Sequence, residues 1–428
     1  MSEEISLKQI LTEPQTLDEL RIPQSLVMDL IFRLLYNEGT VALSRFTEIL
    51  KIPKGLIDDV LLWMQKEHLV EISKASIELG RLGNVYSLTD AGQERARGSL
   101  ERSQYIGPVP VSLPYYNRGI ILQCQRHQRV TMQQVKHALR DLVLPDEFHR
   151  QIGPAINNGT SLFLYGPPGN GKTTIAMAIA ALLSGSDPIW IPYSIAAGGQ
   201  VIQIHDRLVH KPATLDRMKT PDLGRIDQRW QLIERPAVTV GGELKMESLD
   251  LRFDPTSRFY ESPLQLKANG GMFLIDDFGR QQISPKDLLN RWIVPLEAAI
   301  DYLRLQTGQT ISVPFRQLIV FSTNLQPREL VDDAFLRRIH MKVGVLPPDE
   351  KLFYQIFFLM SRKVGIEFNR EAFLHLLQKW YREPGRRLQA VHPRDILNIL
   401  LTICDYENSK PKMAPELIDE ACKSYFVD

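Results

Sequence analysis

Eight consecutive residues have the types and spacing to hold phosphate. Gly166-Pro167-Pro168-Gly169-Asn170-Gly171-Lys172-Thr173 fits the pattern GxxxxGK[ST], and Thr174 follows. The apolar run SLFLY leads into it from Ser161 and TIAMAIAALL comes after, so a strand, a glycine-rich turn and a helix are expected in that order. The glycines let the backbone curl until its N–H groups face phosphate oxygens, and the helix N-terminus adds positive potential. Lys172 then reaches the β- and γ-phosphates of a nucleotide, and the Thr173 hydroxyl can join Mg²⁺. Farther along, GGMFLIDDFGR is a buried-strand pattern that ends in two carboxylates, Asp276 and Asp277. Ligands gather at such strand ends in an open α/β sheet. Asp276 is expected to hold Mg²⁺ through water and Asp277 to polarise the attacking water. A Glu commonly occupies that second position, and Asp is shorter by one C–C bond, about 1.5 Å. Either the backbone comes closer or Asp277 is a weaker base, and in the second case the protein is a nucleotide-gated switch with slow turnover.

Three later segments complete an ordered set. QLIVFSTN is a strand ending in Asn324, DDAFLRRIH carries Arg337 and Arg338, and VHPRDILNIL places Arg394 at a helix start. In this order the segments resemble the AAA+ ATPases. The resemblance implies an ATP-hydrolysing enzyme with ATP or ADP and Mg²⁺ as cofactors. It makes Asn324 the sensor 1 residue, Arg338 with Arg337 the arginine finger delivered to a neighbouring subunit, and Arg394 the sensor 2 arginine of a lid. Phosphoryl transfer is mostly positioning and charge neutralisation, which is the physical reason for such a set. A finger acting in trans implies a homo-oligomeric ring, with a hexamer as the expected size. Between Asp277 and Asn324, ISPKDLLNRWIVPLEAAIDYLRLQTGQTISVPF reads as a helix and then a hairpin about Thr307-Gly308. This looks like the pre-sensor-1 hairpin clade that includes the MoxR-type ATPases and magnesium chelatases.

These segments need a body to position them. At 428 residues the chain exceeds the size at which one core usually stops growing. Hydrophobic residues at 44% and charged residues at 24% fit a globular protein. The expected class is α/β: a P-loop AAA+ core over residues 129–347 and a helical lid over 348–428, with an N-terminal winged-helix-like α+β domain over 25–104. Residues 1–24 are polar with two prolines and read as a tail or short cap. Residues 105–128 read as a Pro-rich linker or a strap lying on a neighbour. One long insertion separates Lys172 from Asp276, and within it AVTVGGELKMESLDLRF suggests a hairpin about Gly241-Gly242. The 241–246 and 306–309 turns are candidate grips on a client or inert surface excursions. Residues 143–148 (VLPDEF) are placed beside the base by position alone. His205 and His210 have no third ligand at useful spacing. Cys124, Cys404 and Cys422 are odd in number and far apart, so a reducing cytoplasm is expected and a disulfide framework is not. No apolar run approaches the length of a membrane helix.

The stretch from Leu26 to Arg102 reads as three helices and a β-wing, and YSLTDAGQERA looks like the wing strand and closing helix of the winged-helix family. Its functional reading stays open between protein docking and DNA binding. Over residues 26–104 ten basic residues face eleven acidic ones, and the presumed recognition helix carries Asp58 and Asp59 near its start. A DNA reader needs basic residues there, so a protein client or adaptor is favoured, with a DNA-associated ATPase as the alternative.

Overall fold

The computed structural model describes residues 5–76, 80–125, 129–214, 216, 224–330 and 336–426. The first four residues of the expected tail, positions 77–79 of the expected wing, positions 126–128 of the expected linker and the first four residues of the DDAFLRRIH segment, 332–335, lie outside the described residues.

Helices α1 (Gln24–Glu38), α2 (Leu43–Leu50) and α3 (Lys54–Lys66) pack with a three-stranded sheet, in which Gly80–Leu88 pairs antiparallel with Thr40–Ala42 and with Val70–Ser76. Helix α4 (Asp90–Arg102) closes the unit, capped by the Thr89 hydroxyl, which accepts from Gly92 N–H at 3.1 Å. Leu30, Ile31, Phe46, Ile57 and Leu61 are fully buried in its core. Arg33, 2% exposed, lies inside the same unit because Ser99 Oγ and the Tyr105 carbonyl accept from its guanidinium.

The central sheet has five parallel strands: β1 (Ser161–Tyr165), β2 (Ala237–Val240), β3 (Met272–Ile275), β4 (Leu318–Thr323) and β5 (Met341–Gly344). Their order is β2-β3-β4-β1-β5. Layers cover both faces, which is why β3 and β4 are apolar along nearly their whole length. Helices α5 (Asp146–Asn158) and α6 (Lys172–Ser184) cover one face, with Ile152, Ile175 and Ile179 buried. Helix α7 (Pro285–Ala298) covers the other and drives Trp292 against Phe273 and Phe315. Ser284 caps α7 and Pro285 opens it, the combination that starts a helix most readily. This is a P-loop α/β core with a helical C-terminal part. That part is α8 (Glu350–Lys363), α9 (Arg370–Leu377), α10 (His392–Tyr406) and α11 (Pro415–Tyr425), packed around Phe353, Phe357, Leu376, Leu397 and Leu400. No helix among the described residues is long and apolar enough to cross a membrane.

Three segments differ from their sequence expectations. Residues 7–11, within the expected tail, form a Ser6-capped helix that buries Ile10 and Leu11 with Trp190, Trp230 and Leu232. Apolar residues 5, 7, 10 and 11 at helical spacing carry that signal, which the two prolines obscured. There is no hairpin about Gly241-Gly242: Ala237–Val240 is edge strand β2, parallel to β3. A Gly-Gly pair between two β-like runs also fits a strand that ends at the edge of a parallel sheet. The 306–309 turn is not a free loop either. The hairpin Ile300–Arg304/Thr310–Pro314 buries Leu303, Ile311 and Val313 against Ile195, Ile202 and Tyr260 of the insertion, and the Tyr260 hydroxyl accepts from Gln306 N–H at 2.8 Å. The insertion contributes most of a second five-stranded sheet, whose last strand, Val111–Ser112, comes from the Pro-rich segment.

One titration follows from the lid. His392, 5% exposed, opens α10 and shares a 2.9 Å hydrogen bond with the Tyr381 hydroxyl. Burial, helped by Arg386 and opposed by Asp395, pushes its pKa from 6.5 down to about 4. Between those values the unfolded chain binds a proton that the folded lid refuses, so lid stability falls as pH drops through this window. Hydrogen-exchange protection factors over 392–406 should fall about 20-fold from pH 7 to pH 5. In His392→Gln they should not.

Candidate functional site

The C-terminal ends of β1, β3 and β4 lie along one edge of the sheet because the three strands are parallel. The chain leaves β1 through Gly166, where a Cβ would strike the Val345 carbonyl just beyond β5, so only glycine fits. At Gly171 φ is +86°, a left-handed turn that reverses the chain into the N-terminus of α6. The loop is thereby curled with Lys172 at the first position of the helix.

Lys172 is 6% exposed. Its ammonium donates to the carbonyls of Gly166 (2.9 Å) and Pro167 (3.0 Å) and to Asn324 Oδ1 (2.7 Å) at the end of β4. Burial lowers its pKa, while the nearby charges of Asp277 and Asp276 act the other way. Asn324 in turn donates from Nδ2 to Asp277 Oδ1 at 3.1 Å. One side chain therefore touches both the lysine and the second carboxylate. Beside this chain of contacts, the Thr173 hydroxyl donates to Asp276 Oδ2 at 2.9 Å. Thr174 is exposed on the next position of α6.

The Thr173 and Asp276 oxygens are a hard donor pair on neighbouring elements. They fit Mg²⁺, which keeps several waters and takes one or two protein oxygens plus phosphate oxygens. No group of three or more His, Cys, Asp and Glu able to hold a metal occurs among the described residues. His210 uses both ring nitrogens internally, pairing with Asp206 N at 2.9 Å and the Lys267 carbonyl at 2.8 Å.

A cleft of about 790 Å³ opens beside the loop. Residues 143–148 line it together with Tyr165, Asn170, Val345, Leu352 and Ala390. Its lining is mixed, with Leu144, Phe148 and Val345 beside Glu147, Lys342 and Lys351, and it is walled on one side by the lid. The lid also touches the loop directly: Val391 N–H donates to the Gly169 carbonyl (2.9 Å) and Ala390 N–H to Asn170 Oδ1 (3.1 Å). Arg394 is three residues beyond this contact in the first turn of α10, paired at 2.8 Å with Asp395 and largely exposed.

Arg337 and Arg338 are elsewhere. They precede β5, and the Arg338 carbonyl accepts from Ser161 Oγ at the start of β1. That places them at the opposite edge of the sheet, a strand length of about 17 Å from their own loop. Arg338 is anchored by Glu297 on α7 at 2.6 Å, whereas the Arg337 side chain is exposed. Two contributors have no local sequence signal. Glu297 is 41 residues from Arg338, and Gln281, just after the carboxylates, acts on backbone atoms alone.

A family model described as a domain of unknown function (DUF8689) matches residues 349–424, the helical lid. No curated protein matches the sequence. Similar solved structures include NtrX from Brucella abortus in complex with ADP, 15% identical over 77% of this chain and 65% of that one, with a TM-score of 0.40. A second NtrX structure from the same organism is 16% identical over 67% and 57%, with a TM-score of 0.38. A Thermotoga maritima RuvB mutant is 12% identical over 70% and 72%, with a TM-score of 0.36. The match thus spans less than two thirds of the NtrX chains.

Proposed function

We propose that this chain is an AAA+-type ATPase that works as a ring, expected to be a hexamer, and remodels a protein partner recruited by its N-terminal domain. The observation that carries the reading is Asn324, which bonds at once to Lys172 and to Asp277 at the mouth of a phosphate-binding loop. ATP lies with its base in the 143–148 cleft and its phosphates over Lys172. Water attacks the γ-phosphorus, Asp277 accepts its proton, and the β–γ bridging oxygen leaves with the bonding electrons on ADP. Asn324 orients the water and Lys172 balances the phosphate charge. Mg²⁺ held by Thr173 and Asp276 would neutralise charge shared between β- and γ-oxygens.

Within one chain Arg337 and Arg338 are on the wrong edge of the sheet to reach these phosphates, which favours delivery to a neighbouring subunit. Arg337 is the exposed member and takes the leading role, with Glu297 holding Arg338 beside it. Arg394, one turn from the lid's contact with the loop, is the cation that follows lid movement. The exposed positions of α3 include Lys54, Asp59, Trp63 and Lys66, with Glu67 at its C-cap, a mixed-charge face around an exposed tryptophan. Such a face suits a protein partner better than a DNA backbone.

ATPase rate measured against protein concentration, with molar mass by light scattering in parallel, tests the assembly. The rate per subunit should rise as rings form, and a flat rate from a monomer would end the trans-arginine reading. Lys172→Ala should lose ATP binding. Asp277→Asn should bind ATP without cleaving it, and Arg337→Ala should bind ATP but turn over about 10³-fold more slowly. Arg337→Ala hydrolysing like the native chain would remove the finger assignment.

A further inference from the structure

The backbone at the second carboxylate is unusual. Asp277 has φ +49°, in the left-handed region. Of the other left-handed non-glycine residues, Arg21, Lys51 and Ala299 are helix C-caps, His68 and Asn408 follow one, and Arg258 turns the chain between paired strands. Asp277 caps no helix. It follows β3 directly, and Asp is among the few side chains that tolerate the conformation.

The turn is held by Arg280 N–H donating to the Asp277 carbonyl (3.0 Å), by Asp277 N–H donating to Asp276 Oδ1 (3.1 Å), and by one further side chain. Gln281 Nε2 donates to the carbonyls of Asp276 (2.9 Å) and Asp277 (3.2 Å), and Gln281 Oε1 accepts from Gly279 N–H (2.8 Å). The amide thus closes the loop 276–281 onto itself, satisfying three backbone groups on both sides of the kink. Two more bonds tie the loop to β4: Phe278 N–H donates to the Ser322 carbonyl (2.7 Å) and the Thr323 hydroxyl to the Phe278 carbonyl (2.8 Å). With the backbone fixed this way, the short carboxylate still meets Asn324 Nδ2 at 3.1 Å.

We propose that Gln281 is a positioning residue for the hydrolytic site: its amide locks Asp277 in the left-handed turn that delivers a one-bond-shorter carboxylate to the place of the base. Asp and Gln281 are then a matched pair, and a Glu in the same locked turn would overshoot by the length of one C–C bond. The inference rests on the ATPase reading and adds to it the residue that makes Asp277 competent.

The test uses the full chain at assembly-competent concentration, measuring kcat for ATP and the ATP dissociation constant separately. Gln281→Ala should lower kcat about 10- to 100-fold, the cost of a misplacement near 1 Å, with ATP affinity within about 3-fold of native because Lys172 and its loop are untouched. Gln281→Glu, which keeps the acceptor but turns a carboxylate toward two carbonyl oxygens, should lose as much. Asp277→Glu alone should also be slower than native, and this variant needs no change at Gln281. The double variant Asp277→Glu/Gln281→Ala should recover at least about 10-fold over Gln281→Ala, because a longer side chain on a released backbone regains the position. A structural role alone would not give that recovery. Native kcat in Gln281→Ala, Asp277→Glu at or above native rate, or no recovery in the double variant overturns the inference while leaving the ATPase reading standing. Absence of turnover in the native chain overturns that reading first, and this one with it.

Discussion

A buried lysine is the constraint on which the site depends. An ammonium so far removed from water must be fully hydrogen-bonded, or its burial costs several kcal/mol. Lys172 meets this demand with two loop carbonyls and Asn324. Each partner comes from a different structural decision. The carbonyls face inward because the glycines permit the curl, and Asn324 is in reach because β4 lies beside β1 with the same direction. Asp277 then enters through Asn324, one strand farther out. The strand order β2-β3-β4-β1-β5 is therefore what turns three separate sequence segments into one contact chain.

The lid answers to the same loop. Asn170 donates from Nδ2 toward the Pro167 and Pro168 carbonyls (3.2 and 3.4 Å) while its Oδ1 accepts from Ala390 N–H. Any change in the loop's curl alters the lid's anchorage, since a single amide serves both. Arg394 is one turn away on the same helix, so its distance from the loop is set by how α10 sits on Gly169 and Asn170.

What could be read in the sequence was whatever depends on local order. The phosphate loop is contiguous, and the apolar runs of β1, β3 and β4 announce buried parallel strands. Residues 143–148 line the cleft beside the loop. What depends on distant or backbone partners could not be read. Nothing in GGELKM tells a hairpin from an edge strand, because the deciding pairing is with β3, 35 residues away. Gln281 looks like any polar residue after a strand, since its three partners are main-chain atoms. Arg338 looks as free as Arg337 until Glu297 is brought alongside by α7 packing on the sheet.

The hairpin after α7 shows how an insertion changes the use of an element. Its inner face is spent on the insertion's core, leaving Leu303 1% and Val313 2% exposed, and its turn is bonded to Tyr260. The neighbouring Phe259 stacks edge-on against Tyr105 at 5.4 Å, and Val109 N–H donates to the Leu50 carbonyl in the N-terminal unit. Packing is thus continuous from α7 through the hairpin and the insertion to the N-terminal unit. A two-stranded hairpin alone is marginal in water, but here it shares a core with a five-stranded sheet. The hairpin is consequently a packed strut beneath an exposed turn at residues 306–309. The N-terminal unit is thereby joined to the insertion through packed side chains and a backbone hydrogen bond.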